Sequence, residues 1–290
     1  MIRTRRASFG AVAAIAVLAA VGAGGPGPAA RLAADRLVVE QARLADAALA
    51  DLEAGIGVVL EAARRGAARI VSGDEPPGPQ WRAAADHLAA SEPRAAGARA
   101  ARRALDAARR ARDPGVADSG EAVPPGELAS IGAQLEETAV AGNAFAEMRW
   151  RAAEVTDALQ RALAALDAGD LSRAEGAVEE AREAFADIEA WEVDLVTLPV
   201  WLQTADAMIG AMETIVAATA AGDAQGAARS ADAFADLAEA GATADRALRI
   251  AISEGGSAVA APTLDRLAAA LTAIREARAE TAESLGAGDR

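Results

Sequence analysis

Residues 167–175 read DAGDLSRAE, and residues 220–228 read AAGDAQGAA. Each sets a Gly-Asp pair between two Ala-rich stretches of helical character. Glycine tolerates the left-handed backbone that ends a helix, and aspartate accepts hydrogen bonds from the free N–H groups that begin the next one. The pattern therefore predicts two helical hairpins, turning at Gly169-Asp170 and at Gly222-Asp223. A phenylalanine phrase follows each turn, AFADIEA at 184–190 and AFADLAEA at 233–240, so the region reads as a weak internal duplication. The two Gly-Asp pairs are 53 residues apart. Tetratricopeptide repeats have a period of about 34 residues and fixed Trp, Gly, Tyr and Pro positions, which this chain lacks.

Helical periodicity extends in both directions from these turns. Leu128, Ile131, Leu135, Phe145, Met148, Val155, Leu159, Leu163 and Leu166 predict one long helix over 127–167. Pro199 interrupts the chain after WEVDLVTL, and helices are expected near 200–221, 224–240, 243–254 and 262–285. The last of these begins with Pro262 in its first turn, where a missing N–H costs little. Toward the N-terminus, residues 28–71 read as one long helix, or as two with a bend. Leu37, Leu44, Leu49, Leu52, Ile56 and Val59 lie on one face of it. Proline- and glycine-rich breaks fall at 72–80 and 113–127. No segment alternates at period two over a useful length. The expected fold is all-α: an Ala-rich antiparallel helical bundle of hairpins with a long N-terminal helix. The expected parts are a leader at 1–23, helices over 28–112, a linker at 113–126 and a helical bundle over 127–285.

Composition agrees with this reading. Nearly 90 of the 290 residues are alanine, the best helix former. Leu, Ile, Val and Phe together make up about 20% of the chain, so the seams between helices should be thin. There is no cysteine, which removes disulfides, thiol chemistry, iron–sulfur clusters and cysteine-based zinc sites. The charge is uneven. Residues 24–125 balance 14 Arg against 14 acids, whereas residues 126–290 carry 12 Arg against 29 acids, a net of −17. A chain this acidic is a poor nucleic-acid binder. The exception is 94–112, with seven Arg and one Asp, which should dock on acidic helical surface in the same chain or in a second one.

The N-terminus indicates location. Arg3, Arg5 and Arg6 precede an uncharged apolar run from Phe9 to Ala23, and Gly24, Gly25 and Pro26 follow. This is the shape of a secretory signal peptide cut after Ala23, or of a single uncleaved anchor. On either reading the bulk of the chain lies outside the cytoplasm, and the membrane is touched only through an uncleaved segment. The Arg5-Arg6 pair also raises twin-arginine export, although Phe9 sits one position late for that signal.

Chemistry-bearing constellations are sparse. His87 is the single histidine, so a two-histidine di-metal bundle is ruled out. Glu175, Glu179, Glu183 and Asp187 recur every four residues and read as a solvated face. Met208 and Met212 read as core filler. No phosphate-binding glycine loop occurs. No catalytic residue, cofactor or metal site is expected, and the chain reads as non-enzymatic. The segment from Phe185 to Leu202 concentrates large side chains. Trp191 and Trp201 in it are core anchors or an apolar partner-binding patch, and Arg102 and Arg103 join them as candidate interaction residues. The favoured function is an exported interaction or structural module with a protein partner or self-association. The alternative is an extracytoplasmic ligand-binding or sensory bundle holding a small apolar molecule.

Overall fold

The computed structural model describes residues 27–72, 77–191 and 195–286. The expected leader at 1–23 lies outside the described residues, as does Val193 of the Phe185–Leu202 segment. The described elements are α1 (Pro28–Ser72), α2 (Gly78–Ala89), α3 (Glu92–Arg112), α4 (Glu127–Asp167), α5 (Leu171–Glu189), α6 (Leu198–Ala220) and α7 (Ala224–Gly286). No strand occurs among the described residues. The chain is an all-α helical bundle.

Both Gly-Asp turns form as expected. Gly169 has φ +73° and Gly222 has φ +71°. Asp170 N–H donates to the Ala165 carbonyl at 2.9 Å and Gly169 N–H donates to Leu166 at 2.9 Å. Asp223 and Gly222 repeat the pattern on Ala218 and Thr219 at 2.9 and 3.1 Å. These paired bonds cap the outgoing helix. Each aspartate then caps the next helix: Asp170 Oδ1 accepts from Arg173 N–H at 3.1 Å and Asp223 Oδ1 from Gly226 N–H at 2.9 Å. Asp170→Ala and Asp223→Ala should each cost about 1 kcal/mol in a denaturation series. A midpoint unchanged in both would refute the capping role.

One expectation fails. The three helices predicted at 224–240, 243–254 and 262–285 are a single helix, α7, with Pro262 inside it. An interior proline costs about 3 kcal/mol by removing a donor and crowding the preceding turn. Burial on both sides of it offsets that cost, because Ala260, Thr263 and Leu267 are all buried. The glycines of α7 do not end it either. A Cβ on Gly255 would lie 3.0 Å from the Phe145 ring, and one on Gly256 would overlap Ile70. They are seats for neighbouring side chains.

The chain forms two compact units that do not follow chain order. Among the described residues, the first comprises those up to Ala63, Arg82–Glu136 and those from Thr263; the second comprises those within Arg64–Trp81 and Glu137–Pro262. Residues 113–126, expected to separate two domains, lie within the first unit. Helices of 45, 41 and 63 residues contribute to both units.

The first unit is laced by arginines. The basic helix α3 docks within the same chain: Arg112 pairs with Asp35 at 3.1 Å, Arg94 with Asp51 at 3.4 Å and Arg102 with Glu280 at 2.8 Å. Its buried face is small, with Ala95, Ala98, Leu105 and Ala108. Leu105 and Ala108 meet Val38, Ala42 and Ala45 of α1. Leu44, expected on this face, is exposed because Ala42 and Ala45 occupy the seam. Ser119 ties the 113–126 segment to α3, its hydroxyl donating to Asp106 Oδ1 at 2.8 Å.

Glu53 accepts from Arg275 at 2.8 Å and from Arg278 at 2.6 Å. The Arg275 hydrogen bond, then that of Arg278, hold its carboxyl below the ordinary 4.5, against the opposing effect of burial. A lowered native pKa adds stability that is present above the unfolded value and lost as pH falls through the native one. Glu53→Gln should therefore lower the urea midpoint at neutral pH and bring the two proteins together below pH 4.5. A gap that persists unchanged in acid would mean the carboxylate charge is not the stabilising feature.

The second unit holds the larger core. Met148, Val155, Leu159, Phe185, Ile188, Trp201, Ile209, Met212, Phe234 and Leu248 pack with many alanines. Met212 is fully buried, as core filler should be. Phe185 and Trp201 stack with ring centroids 6.5 Å apart and planes at 22°. Trp191, Leu195 and Leu202 pack half-buried against this core, whereas Val196 and Val200 point outward. A second centre, unforeseen in the sequence, surrounds the fully buried Trp81. A Cβ on Gly66 would come within 2.7 Å of its ring, and one on Gly142 within 2.7 Å of Ile70.

Candidate functional site

In the second unit, α4, α6 and α7 enclose a cleft of about 560 Å³. It arises from a mismatch of side-chain size. Helix α7 presents Ala238, Gly241 and Ala242, while α4 presents Leu159 and Leu163 and α6 presents Trp201 and Met208. Small residues facing large ones would normally draw the helices together. Here Met208 limits the approach at one point: a Cβ on Gly241 would lie 2.5 Å from its sulfur. Val155 and Phe234 complete an apolar wall.

The polar groups of the cleft are Gln160, exposed on α4, two threonines and three charged residues of α7. Thr156 and Thr204 donate their hydroxyl protons to the carbonyls of Ala152 and Val200 on their own helices, at 3.2 and 2.8 Å. The charged lining residues are Asp245, Arg246 and Arg249 of α7. Asp245 Oδ2 binds Arg249 at 2.7 Å. Its Oδ1 is buried and meets no hydrogen-bond donor among the described residues. Asp245 therefore depends on Arg249 for charge compensation. Arg246 is exposed and forms no ion pair with a described residue.

Other hollows offer less. The one beside α3, lined by Arg99, Arg102, Arg103 and Asp106, has about 30 Å³, room for a single water. The acidic face of α5 is exposed along Glu175, Glu179, Glu183 and Asp187. Arg151 pairs with Asp187 at 3.0 Å, Arg161 with Glu180 at 2.6 Å, and Arg182 bridges Asp206 and Glu213 on α6 at 2.6 and 2.9 Å. Among the described residues no group of three or more His, Cys, Asp or Glu is arranged to hold a metal ion. His87 is exposed on α2.

The four residues singled out from the sequence are placed as follows. Trp201 is buried in the second unit's core and forms part of the cleft wall, and Trp191 packs half-buried nearby. Arg102 is buried in the first unit on Glu280, and Arg103 is exposed beside it. The tryptophans and the arginines belong to different units. Sequence reasoning missed Arg246 and Arg249 and treated Met208 only as filler. The available signal was the clustering of Ala238, Gly241 and Ala242 on one face of α7.

No described helix is long and apolar enough to cross a membrane. No known protein family, characterised protein or solved structure matches this chain.

Proposed function

We propose that this chain is an exported, non-enzymatic binding module that holds a small, mainly apolar ligand in the α4–α6–α7 cleft. The cleft itself carries the reading. Its volume of about 560 Å³ falls within the range of about 300–1,000 Å³ typical of small-molecule sites, which are largely apolar with a few polar groups. The non-catalytic part rests on the lining. Its carboxylate, Asp245, is engaged by Arg249, and its threonine hydroxyls are turned to their own helices. None of these is poised as a free base or nucleophile. Export rests on the basic, apolar and Gly/Pro pattern of residues 3–26. A protein partner or self-association, the favoured reading of the sequence, has weaker support: of its four candidate residues Trp201 and Arg102 are buried, Trp191 is half-buried and Arg103 alone is exposed.

Isothermal titration of the purified chain with decanol tests the proposal. Saturable one-to-one binding is expected, and Ala238→Trp should abolish it. Ala238 is exposed and lines the cleft, so a large ring there fills the cavity without disturbing the core. Absence of saturable binding, or identical binding by Ala238→Trp, would favour the partner-binding module instead.

A further inference from the structure

From the charge at the cleft we infer that its ligand is a single-chain anionic amphiphile, with the apolar body between α4, α6 and α7 and a carboxylate head on Arg246. This rests on the cleft being a binding site. The lining carries three charged side chains, Asp245, Arg246 and Arg249, for a net of +1. Arg249 is committed to Asp245, whose other oxygen is buried without a donor. Withdrawing Arg249 would leave that carboxylate uncompensated. Arg246, one turn before Arg249, is the cation left over, and it is exposed where a head group can reach it. Its setting makes this notable. Residues 126–290 carry a net charge of −17; Arg151, Arg161 and Arg182 are held by carboxylates, and of the described arginines of this half that are not, Arg149, Arg173, Arg229 and Arg246, only Arg246 lines the cleft. An unengaged guanidinium beside an apolar cavity complements an anion on an apolar body, and its planar fork suits a carboxylate.

Three probes with one tail and different heads separate the possibilities: decanoate, decanol and decylammonium, each titrated calorimetrically into the full chain below its micelle concentration. Decanoate should bind about fivefold more tightly than decanol, the effect of one partly exposed ion pair, and decylammonium should bind least. Arg246→Met keeps the aliphatic stem and removes the charge. It should erase the decanoate advantage and leave decanol unchanged. Raising salt should weaken decanoate selectively. Equal binding of decanoate and decanol, or an anion preference that survives Arg246→Met, overturns the head-group assignment while leaving the cleft as a neutral apolar site. Failure of all three probes to saturate overturns the cleft reading as well. Arg246-dependent sedimentation with phosphatidylglycerol vesicles, without decanoate binding, would assign Arg246 to a lipid surface and also overturn the inference.

Discussion

Trp81→Ala should destabilise the chain by about 3–5 kcal/mol, the usual cost of emptying a fully buried aromatic site. Trp81 has no exposed surface. Gly66 abuts its ring, and a Cβ on Gly142 would stand 3.6 Å from its Nε1. Helix backbone is rigid, so the surroundings cannot collapse into the space the ring leaves, and the cavity cost is paid nearly in full. The indole Nε1–H is buried and meets no acceptor among the described residues. An unsatisfied buried donor costs about 1–3 kcal/mol. Trp81→Phe removes that burden while keeping most of the ring. It should therefore lose less than half of what Trp81→Ala loses. Urea midpoints at constant m-value decide the matter. If phenylalanine proves as damaging as alanine, the indole N–H has a partner and the apolar seat is misread.

Trp81 also shows where sequence reading stops. The hairpin turns were legible because their cause is local: Gly169 and Gly222 need a positive φ, and the adjoining aspartates cap within three residues. The boundary at Pro199 was legible for the same reason, since it lies in the first turn of its helix. Pro262 carries the same local signal, yet α7 runs through it, because burial of Ala260, Thr263 and Leu267 outweighs the lost bond. Gly255 and Gly256, just past the end of the helix expected at 243–254, are contact points for Phe145 and Ile70, residues more than a hundred positions away. The cleft is of this second kind. It depends on Ala238, Gly241 and Ala242 facing Leu159 and Leu163; the small face of α7 is visible in the sequence, but what it faces is not. The pairing of α3 lies between these cases. Its +6 charge announced docking on acidic surface, but only the packing shows that Asp35, Asp51 and Glu280 of the same chain supply it.

Trp201→Ala should cost a similar 3–5 kcal/mol, and it tests the fold and the site together. Trp201 is 3% exposed, stacks on Phe185 and forms part of the cleft wall. Cutting it back removes that stacking and opens the core into the existing cavity. Stacked aromatic pairs add about 0.5–1.5 kcal/mol beyond their buried area. A double-mutant cycle of Phe185→Leu and Trp201→Leu should therefore show coupling of about 1 kcal/mol. Trp191 is only half-buried against the same cluster, so Trp191→Ala should cost about 1–2 kcal/mol. The reading of these two rings as a surface patch makes the opposite demand: both alanine variants would fold as stably as the parent. The decanol titration adds a second axis. Trp201→Leu retains apolar surface but loses the flat wall, so it should weaken decanol binding even where the protein is fully folded. If Trp201→Leu folds with undiminished decanol affinity, the ring belongs to the core alone and is no part of a binding wall.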